Sequence, residues 1–134
     1  LGPWTRPEFL LCVFWEEEGT AQGGMHLPIV EEGGQRYLTL PGINPSVRLL
    51  ARVEAWVLLD AVVDYAWRLA RRLGFQGVWV PASPGIHSNR RAIHEELSRR
   101  GWTLRASQLD EFSTEPYRYT FEHVLEVPER YVPD

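Results

Sequence analysis

The residues best equipped for chemistry lie in one stretch, Pro81-Ala82-Ser83-Pro84-Gly85-Ile86-His87-Ser88-Asn89-Arg90-Arg91. It joins an apolar run to a helical pattern and ends in paired arginines, so an anion could rest on its amides with Arg90 or Arg91 closing over it. The same letters also describe a surface loop stiffened by proline. A neutral His87 could take the proton from an incoming amine, or it could be an ordinary loop histidine. Ser88-Asn89 reads as a helix N-cap. The other imidazoles, His26, His94 and His123, have no metal-ligand spacing among them, and His94-Glu95-Glu96 is not His-Glu-x-x-His. No metal site is expected. Neither a Ser-His-Asp set, a Walker loop nor a Cys-His pairing can be located, and the chain has no lysine for a Schiff base.

Charge narrows the partners. All 14 basic residues are arginine and the net charge is −4, a balance that counts against a binder of nucleic-acid backbones despite Arg68, Arg71, Arg72, Arg90, Arg91, Arg99 and Arg100. Glu16, Glu17, Glu18, Glu31 and Glu32 sit at expected turns, where they are solvated or form an acidic rim that steers a cationic acceptor. Cys12 is the only cysteine, so no disulfide can form within the chain and a reducing cytoplasm is expected. No apolar run reaches the roughly 20 residues that span a bilayer, so no membrane partner is expected. A length of 134 residues with 44% hydrophobic content predicts a single domain over 1–134 with a loose start over 1–8. Because the first residue is not methionine, the domain could be the C-terminal part of a longer protein.

The elements that would position these residues follow from periodicity. Phe9–Trp15, Gly24–Val30 and Gln35–Leu40 read as strands, the last two as a hairpin through Glu31-Glu32-Gly33-Gly34, with Pro28 suggesting an edge or a bulge. From about Pro45 or Arg52 to Leu73 the period is helical, with Leu58, Ala61, Val62, Tyr65, Leu69 and Leu73 recurring at steps of three and four and Gly74 as the C-cap. Gly77–Val80 is a strand buried on both faces. A second helix runs from a cap at Ser88 or Asn89 to Arg100 and ends at Gly101. Trp102–Ala106 is a strand, Leu109–Pro116 a polar loop, and Tyr117–Val127 one strand carrying Tyr117, Tyr119, Phe121, His123, Leu125 and Val127 on one face. The six tryptophans are expected in the core or at an interface. The order β-β-β-α-β-α-β-β predicts an α+β (mixed α/β) fold with two main helices and a mostly antiparallel sheet around a central parallel pair.

Ala66-Trp67-Arg68-Leu69-Ala70-Arg71-Arg72-Leu73-Gly74-Phe75-Gln76-Gly77-Val78-Trp79-Val80, a helix end, its Leu-Gly-Phe cap and the next strand, resembles the GNAT superfamily of acyl-coenzyme A N-acetyltransferases. The Arg99-Arg100-Gly101-Trp102 step resembles the family's second Gly-aromatic helix end. The likeness covers about residues 9–127. It implies a wedge between Gln35–Leu40 and Gly77–Val80, splayed at one end, that admits the acyl-coenzyme A arm. It further implies that backbone N–H groups near Leu40 and Gly42 polarise the thioester, that Asn89 bonds the pantetheine, and that Arg48 with Ala51, or Arg52, meets the pyrophosphate beside Arg90. The cofactor would be acetyl-CoA or another acyl-CoA, the partner a small-molecule or peptide amine acceptor attacking directly, and His87 the catalytic base.

Three departures accompany the likeness. The family's pyrophosphate loop is Arg/Gln-x-x-Gly-x-Gly/Ala, whereas alignment on Ile43-Asn44-Pro45 gives Arg48, Ala51 and Val53 and alignment on Gly74 gives Arg52, Ala55 and Val57, neither with a glycine. The family's frequent tyrosine acid is Leu97 here, and only eight residues precede Phe9 where the family has further elements. These departures support an alternative reading: a non-catalytic GNAT-like domain for protein interaction or dimerisation, as a homodimer or completed by a missing N-terminal segment.

Overall fold

The computed structural model of the chain describes residues 9–13, 16–17, 20–21, 23–83, 88–107, 112–114, 117–119 and 123–130, with side chains over 23–83, 88–107 and 123–130. In chain order the elements are β1 (Phe9–Val13), β2 (Glu16–Glu17), β3 (Thr20–Ala21), β4 (Gly23–Glu32), β5 (Gln35–Thr39), β6 (Asn44–Pro45), α1 (Val47–Leu50) and α2 (Ala55–Leu73). They continue as β7 (Gly77–Pro81), α3 (Arg91–Arg100), β8 (Thr103–Ala106), β9 (Phe112–Thr114), β10 (Tyr117–Tyr119) and β11 (His123–Glu126). Seven strands form the main sheet in the order β1-β4-β5-β7-β11-β8, with β6 also on β4. Only the pairing of β5 with β7 is parallel within it. The expected mixed, mostly antiparallel sheet around a central parallel pair is therefore present.

Alternation along these strands divides the sheet into two faces. Leu27, Leu38, Leu40, Val78 and Val80 meet Leu58, Leu59, Val62, Val63, Ala66 and Ala70 of α2, all buried, in one cluster that Ile93 and Leu97 of α3 complete. Val30, Trp79 and Val124 are buried as well but outside that cluster, on the opposite face. A strand between two buried faces has no position for a polar side chain, which is why β7 is buried at each of its residues.

Of the two starts read for the long helix, about Pro45 or Arg52, the later lies near the one found: α2 begins at Ala55, and Val47–Leu50 is a separate turn. Leu49 and Leu58 are both buried, yet nine residues at about 100° each would set them on opposite sides of an unbroken helix. The chain resolves the conflict by making α1 a single turn, capped by Ser46 Oγ accepting from Leu49 N–H at 3.0 Å, and restarting at Glu54. Gly74 and Gly101, with φ of +70° and +63°, end α2 and α3 as the sequence indicated. The second helix begins later than expected, with Arg90 and not Ser88 or Asn89 in the N-cap position. Ser88 Oγ nevertheless accepts from Arg90 N–H at 2.9 Å.

Other boundaries also move. Pro28 lies inside the ten-residue β4, not at an edge, where the ladder to β5 ends at Ile29–Leu38 and Thr39 Oγ1 donates to the Pro28 carbonyl at 2.7 Å. Residues 112–114 of the expected polar loop form a strand against Tyr117–Tyr119, and the described parts of Tyr117–Val127, β10 and β11, pair in different sheets. Of the tryptophans with described side chains, Trp67 and Trp79 are buried, Trp102 packs against the core, and Trp56 is half exposed. Trp4 and Trp15 lie outside the described residues.

The helices are tied by charge at their ends. Arg100 of α3 donates through Nε to Glu96 at 2.7 Å, through Nη1 contacts Asp60 of α2 at 2.7 Å, and through Nη2 bonds the Trp56 carbonyl at 3.0 Å. Burial pushes the Glu96 carboxyl up, but the hydrogen bonds and charges of Arg99 and Arg100 together outweigh it and leave the pKa below its ordinary 4.5. A depressed folded-state value means this stability is complete above pH 4.5 and is lost as pH falls through the lowered value. Glu96→Gln should flatten the acid limb of stability measured by urea unfolding across pH. In the same assay Leu59→Ala should cost roughly 2–5 kcal/mol, because a wholly buried leucine leaves a cavity. Val47→Ala, at a residue 67% exposed, should stay within about 0.5 kcal/mol.

Candidate functional site

A ligand entering between parallel strands needs their ladder to open. Here Tyr37–Gly77, Leu38–Val78 and Thr39–Trp79 are paired, Gln76 N–H donates to the Arg36 carbonyl at 2.8 Å, and Leu40 N–H donates to the Trp79 carbonyl at 2.9 Å. Gln35–Leu40 and Gly77–Val80 thus remain joined over the length in which a wedge was expected. They part immediately beyond it, for a covalent reason: Pro81 has no N–H to return to the Leu40 carbonyl. At the same level Gly42, with φ of +66°, turns the other chain towards β6.

The opening past the ladder is spanned by the residues that were candidates for ligand contact. Ser88 Oγ donates to the Ile43 carbonyl at 2.6 Å, Asn89 N–H donates to Asn44 Oδ1 at 2.7 Å, and Arg90 Nε donates to the Pro45 carbonyl at 2.7 Å. These three bonds form a clasp between the segment after β5 and the entry to α3. Ser88 is 1% exposed, so its hydroxyl is a buried group fully engaged within the chain.

The remaining candidates are placed as follows. Leu40 is buried and its N–H is committed to the ladder, so it is not presented to a thioester carbonyl. Arg48 lies on α1 and Ala51 is its C-cap, with Ala51 N–H bonded to the Val47 carbonyl at 3.0 Å. Arg52 follows in the turn, exposed like Arg48. The start of α2, which would face a pyrophosphate, has Glu54 in the N-cap position and no basic residue in its first turn. Beside it a groove of about 340 Å³ runs between α2 and α3, lined by Glu54, Trp56, Glu95, Glu96 and Arg99. A carboxylate at a helix N-terminus satisfies the dipole that an anion would otherwise use. His87 lies outside the described residues.

A cluster not singled out from the sequence occupies the other end of the parallel pair. Tyr37 and Trp79 stack with centroids 4.0 Å apart, and the Arg105 guanidinium lies 5.0 Å from the Trp79 centroid. Arg105 pairs with Glu32 and, at 3.4 Å, with Glu126, while Ser107 Oγ donates to Glu32 at 3.1 Å. Burial works against the Arg105 charge, but the bonds and charges of its acidic partners outweigh it and raise its pKa. A cleft of about 400 Å³ opens here, with Trp67, Gln76 and Glu129 on its other walls. The signal for this cluster is alternation: Tyr37 and Trp79 fall one position from Leu38 and Val78, hence on the face away from α2. Among the described residues no group of three or more His, Cys, Asp or Glu could hold a metal, and no helix is long and apolar enough to cross a membrane.

Loss of the clasp should be measurable. Ser88→Ala leaves the Ile43 carbonyl and the Arg90 N–H without this partner and should cost about 1–3 kcal/mol in urea unfolding. Asn89→Ala keeps the backbone donor and should stay within about 0.5 kcal/mol. An equal loss in both variants would refute the clasp. Comparison with known protein families, with curated proteins and with solved structures finds no match to this chain.

Proposed function

We propose that this chain is a GNAT-like domain that acts by holding a protein partner and not by transferring an acyl group. The observation that carries the reading is the clasp, in which the Ser88 hydroxyl, the Asn89 backbone N–H and Arg90 Nε are bonded to Ile43, Asn44 and Pro45 just past the parallel ladder, beside the place a pantetheine arm would thread. An oxyanion-polarising amide must be free to point at the substrate, and Leu40 N–H is instead bonded to Trp79. Glu54 at the start of α2 adds a charge that opposes a pyrophosphate.

A second reading is favoured by one observation, the parallel pair at the centre of the sheet whose chains part at Pro41 and Pro81, beyond the carboxyl ends of the strands. Ligands of open α/β sheets bind at such places. In that reading the chain is an acyl-CoA-dependent N-acyltransferase: the clasp opens, Asn89 takes the pantetheine, and Arg48 or Arg52 with Arg90 meets the phosphates. His87 then accepts the proton from the amine that attacks the thioester, and the C–S bond breaks to release coenzyme A as its thiolate, to which that proton can pass.

Calorimetric titration with coenzyme A and acetyl-coenzyme A, paired with a thermal-shift measurement, decides between them. The partner-binding reading expects no heat and no shift at about millimolar ligand, where a ligand of Kd 10 µM would stabilise by about 2.7 kcal/mol. Saturable binding that Arg48→Ala or Arg52→Ala weakens would establish the transferase reading in its place.

A further inference from the structure

One edge of the main sheet is open. β8 ends the strand order and pairs with β11 alone. At the two ends of β11 the His123 carbonyl accepts from Ala82 N–H and Val127 N–H donates to the Val78 carbonyl, both at 3.0 Å, so the odd-numbered residues there turn their backbone groups to β7. Val124 and Glu126 then turn theirs to β8, where their partners are Arg105 and Thr103. Leu104 and Ala106 therefore direct N–H and C=O out of the sheet, and among the described residues no hydrogen bond meets them. Exposed strand edges are usually blunted by proline, a bulge or a projecting charge. Residues 102–106 contain no proline, the ladder to β11 runs without a bulge, and the one charge, Arg105, is folded against Trp79 and Glu32. Leu104 beside it is 57% exposed.

We propose that the chain forms a two-fold symmetric dimer by pairing β8 antiparallel with β8 of a second copy, which continues the sheet from one molecule into the next. This rests on the reading of the domain as a partner-binding one and names the partner. Leu104 and Arg105 lie inside the strand, and a two-fold axis can pass beside either. Centred on Arg105 it would set two guanidiniums directly opposite each other, which like charge disfavours. Centred on Leu104 it makes Leu104 and its counterpart a pair that exchanges both N–H···O bonds, as the outward direction of those groups requires. The same register sets Thr103 opposite Arg105 and Trp102 opposite Ala106, a large side chain beside a small one, and the symmetry repeats each contact. The faces match as well. Trp102 and Leu104 border an apolar groove of about 320 Å³ with Leu97 and Leu125 on the α3 side of the sheet, whereas Thr103 and Arg105 lie on the Trp79 side. The leucine of the second copy thus meets an apolar surface, and its arginine a hydroxyl.

Sedimentation velocity of the full chain from about 1 to 100 µM, with amide hydrogen exchange at both ends of that range, tests the pairing. The expected result is a species of twice 15.5 kDa whose fraction rises with concentration, and slowed exchange at Leu104 and Ala106 that appears only as it forms. Thr103 and Arg105, whose amides face β11, should be protected throughout. Leu104→Arg sets like charges across the axis and should weaken association by about tenfold or more, with a thermal midpoint within a few degrees of the parent because the position is exposed. Ala106→Pro removes an N–H that the ladder to β11 does not use and should weaken association to a similar degree. A mass of 15.5 kDa at every concentration overturns the proposal. So does a dimer that leaves the Leu104 and Ala106 amides exchanging fast, or one that neither variant weakens. Coenzyme A titrated into the same sample keeps the two readings apart. Heat from a sample that also dimerises through β8 refutes only the partner-binding role, and a silent, monomeric sample refutes only the dimer.

Discussion

Burial of β7 on both faces is the constraint from which the rest of the architecture follows. Its five residues, Gly77–Pro81, are all out of solvent, so each backbone polar group must find a partner in a neighbouring strand and each side chain an apolar neighbour. The parallel ladder to β5 and the antiparallel ladder to β11 meet the first demand. On one face α2 and α3 meet the second. On the other, Trp79 lies between the Tyr37 ring and the Arg105 guanidinium, whose charge is balanced by Glu32 and Glu126.

The ladder ends where proline ends it, and what happens next decides the chemistry. Past Leu40 and Val80 the chain could have offered unpaired amides, an asparagine and two arginines to a ligand. Instead the Ser88 hydroxyl, the Asn89 backbone N–H and Arg90 Nε are bonded internally, to the carbonyls of Ile43 and Pro45 and the side chain of Asn44, and for the buried hydroxyl an absent partner would be costly. The same residue types thus serve cohesion between two loops that lie 45 positions apart in the chain.

Much of this was legible from local pattern. The caps at Gly74 and Gly101, the hairpin through Gly33 and Gly34, the wholly apolar β7 and the two main helices on either side of it in the chain all depend on short-range preferences, and all are present. Between a helix start at Pro45 and one at Arg52 the local pattern did not choose, because Leu49 and the stripe from Leu58 onwards each fit a helix and only their common burial places a bend between them. Nor was it legible that Tyr117–Tyr119 and His123–Glu126 pair in different sheets, since alternation reports a strand's period and says nothing of which neighbour it finds.

For the candidate site the sequence by itself determined which donors and acceptors would gather at the carboxyl end of β7: Ser88, Asn89 and Arg90 on one side and the Ile43-Asn44-Pro45 turn on the other. Tertiary structure alone decided that they face each other at hydrogen-bonding distance and join, and that Leu40 N–H is taken by Trp79. Composition and spacing set the supply of polar groups. Whether a group is offered to a ligand or used up at home depends on what lies within about 3 Å of it, a distance that only the folded chain establishes.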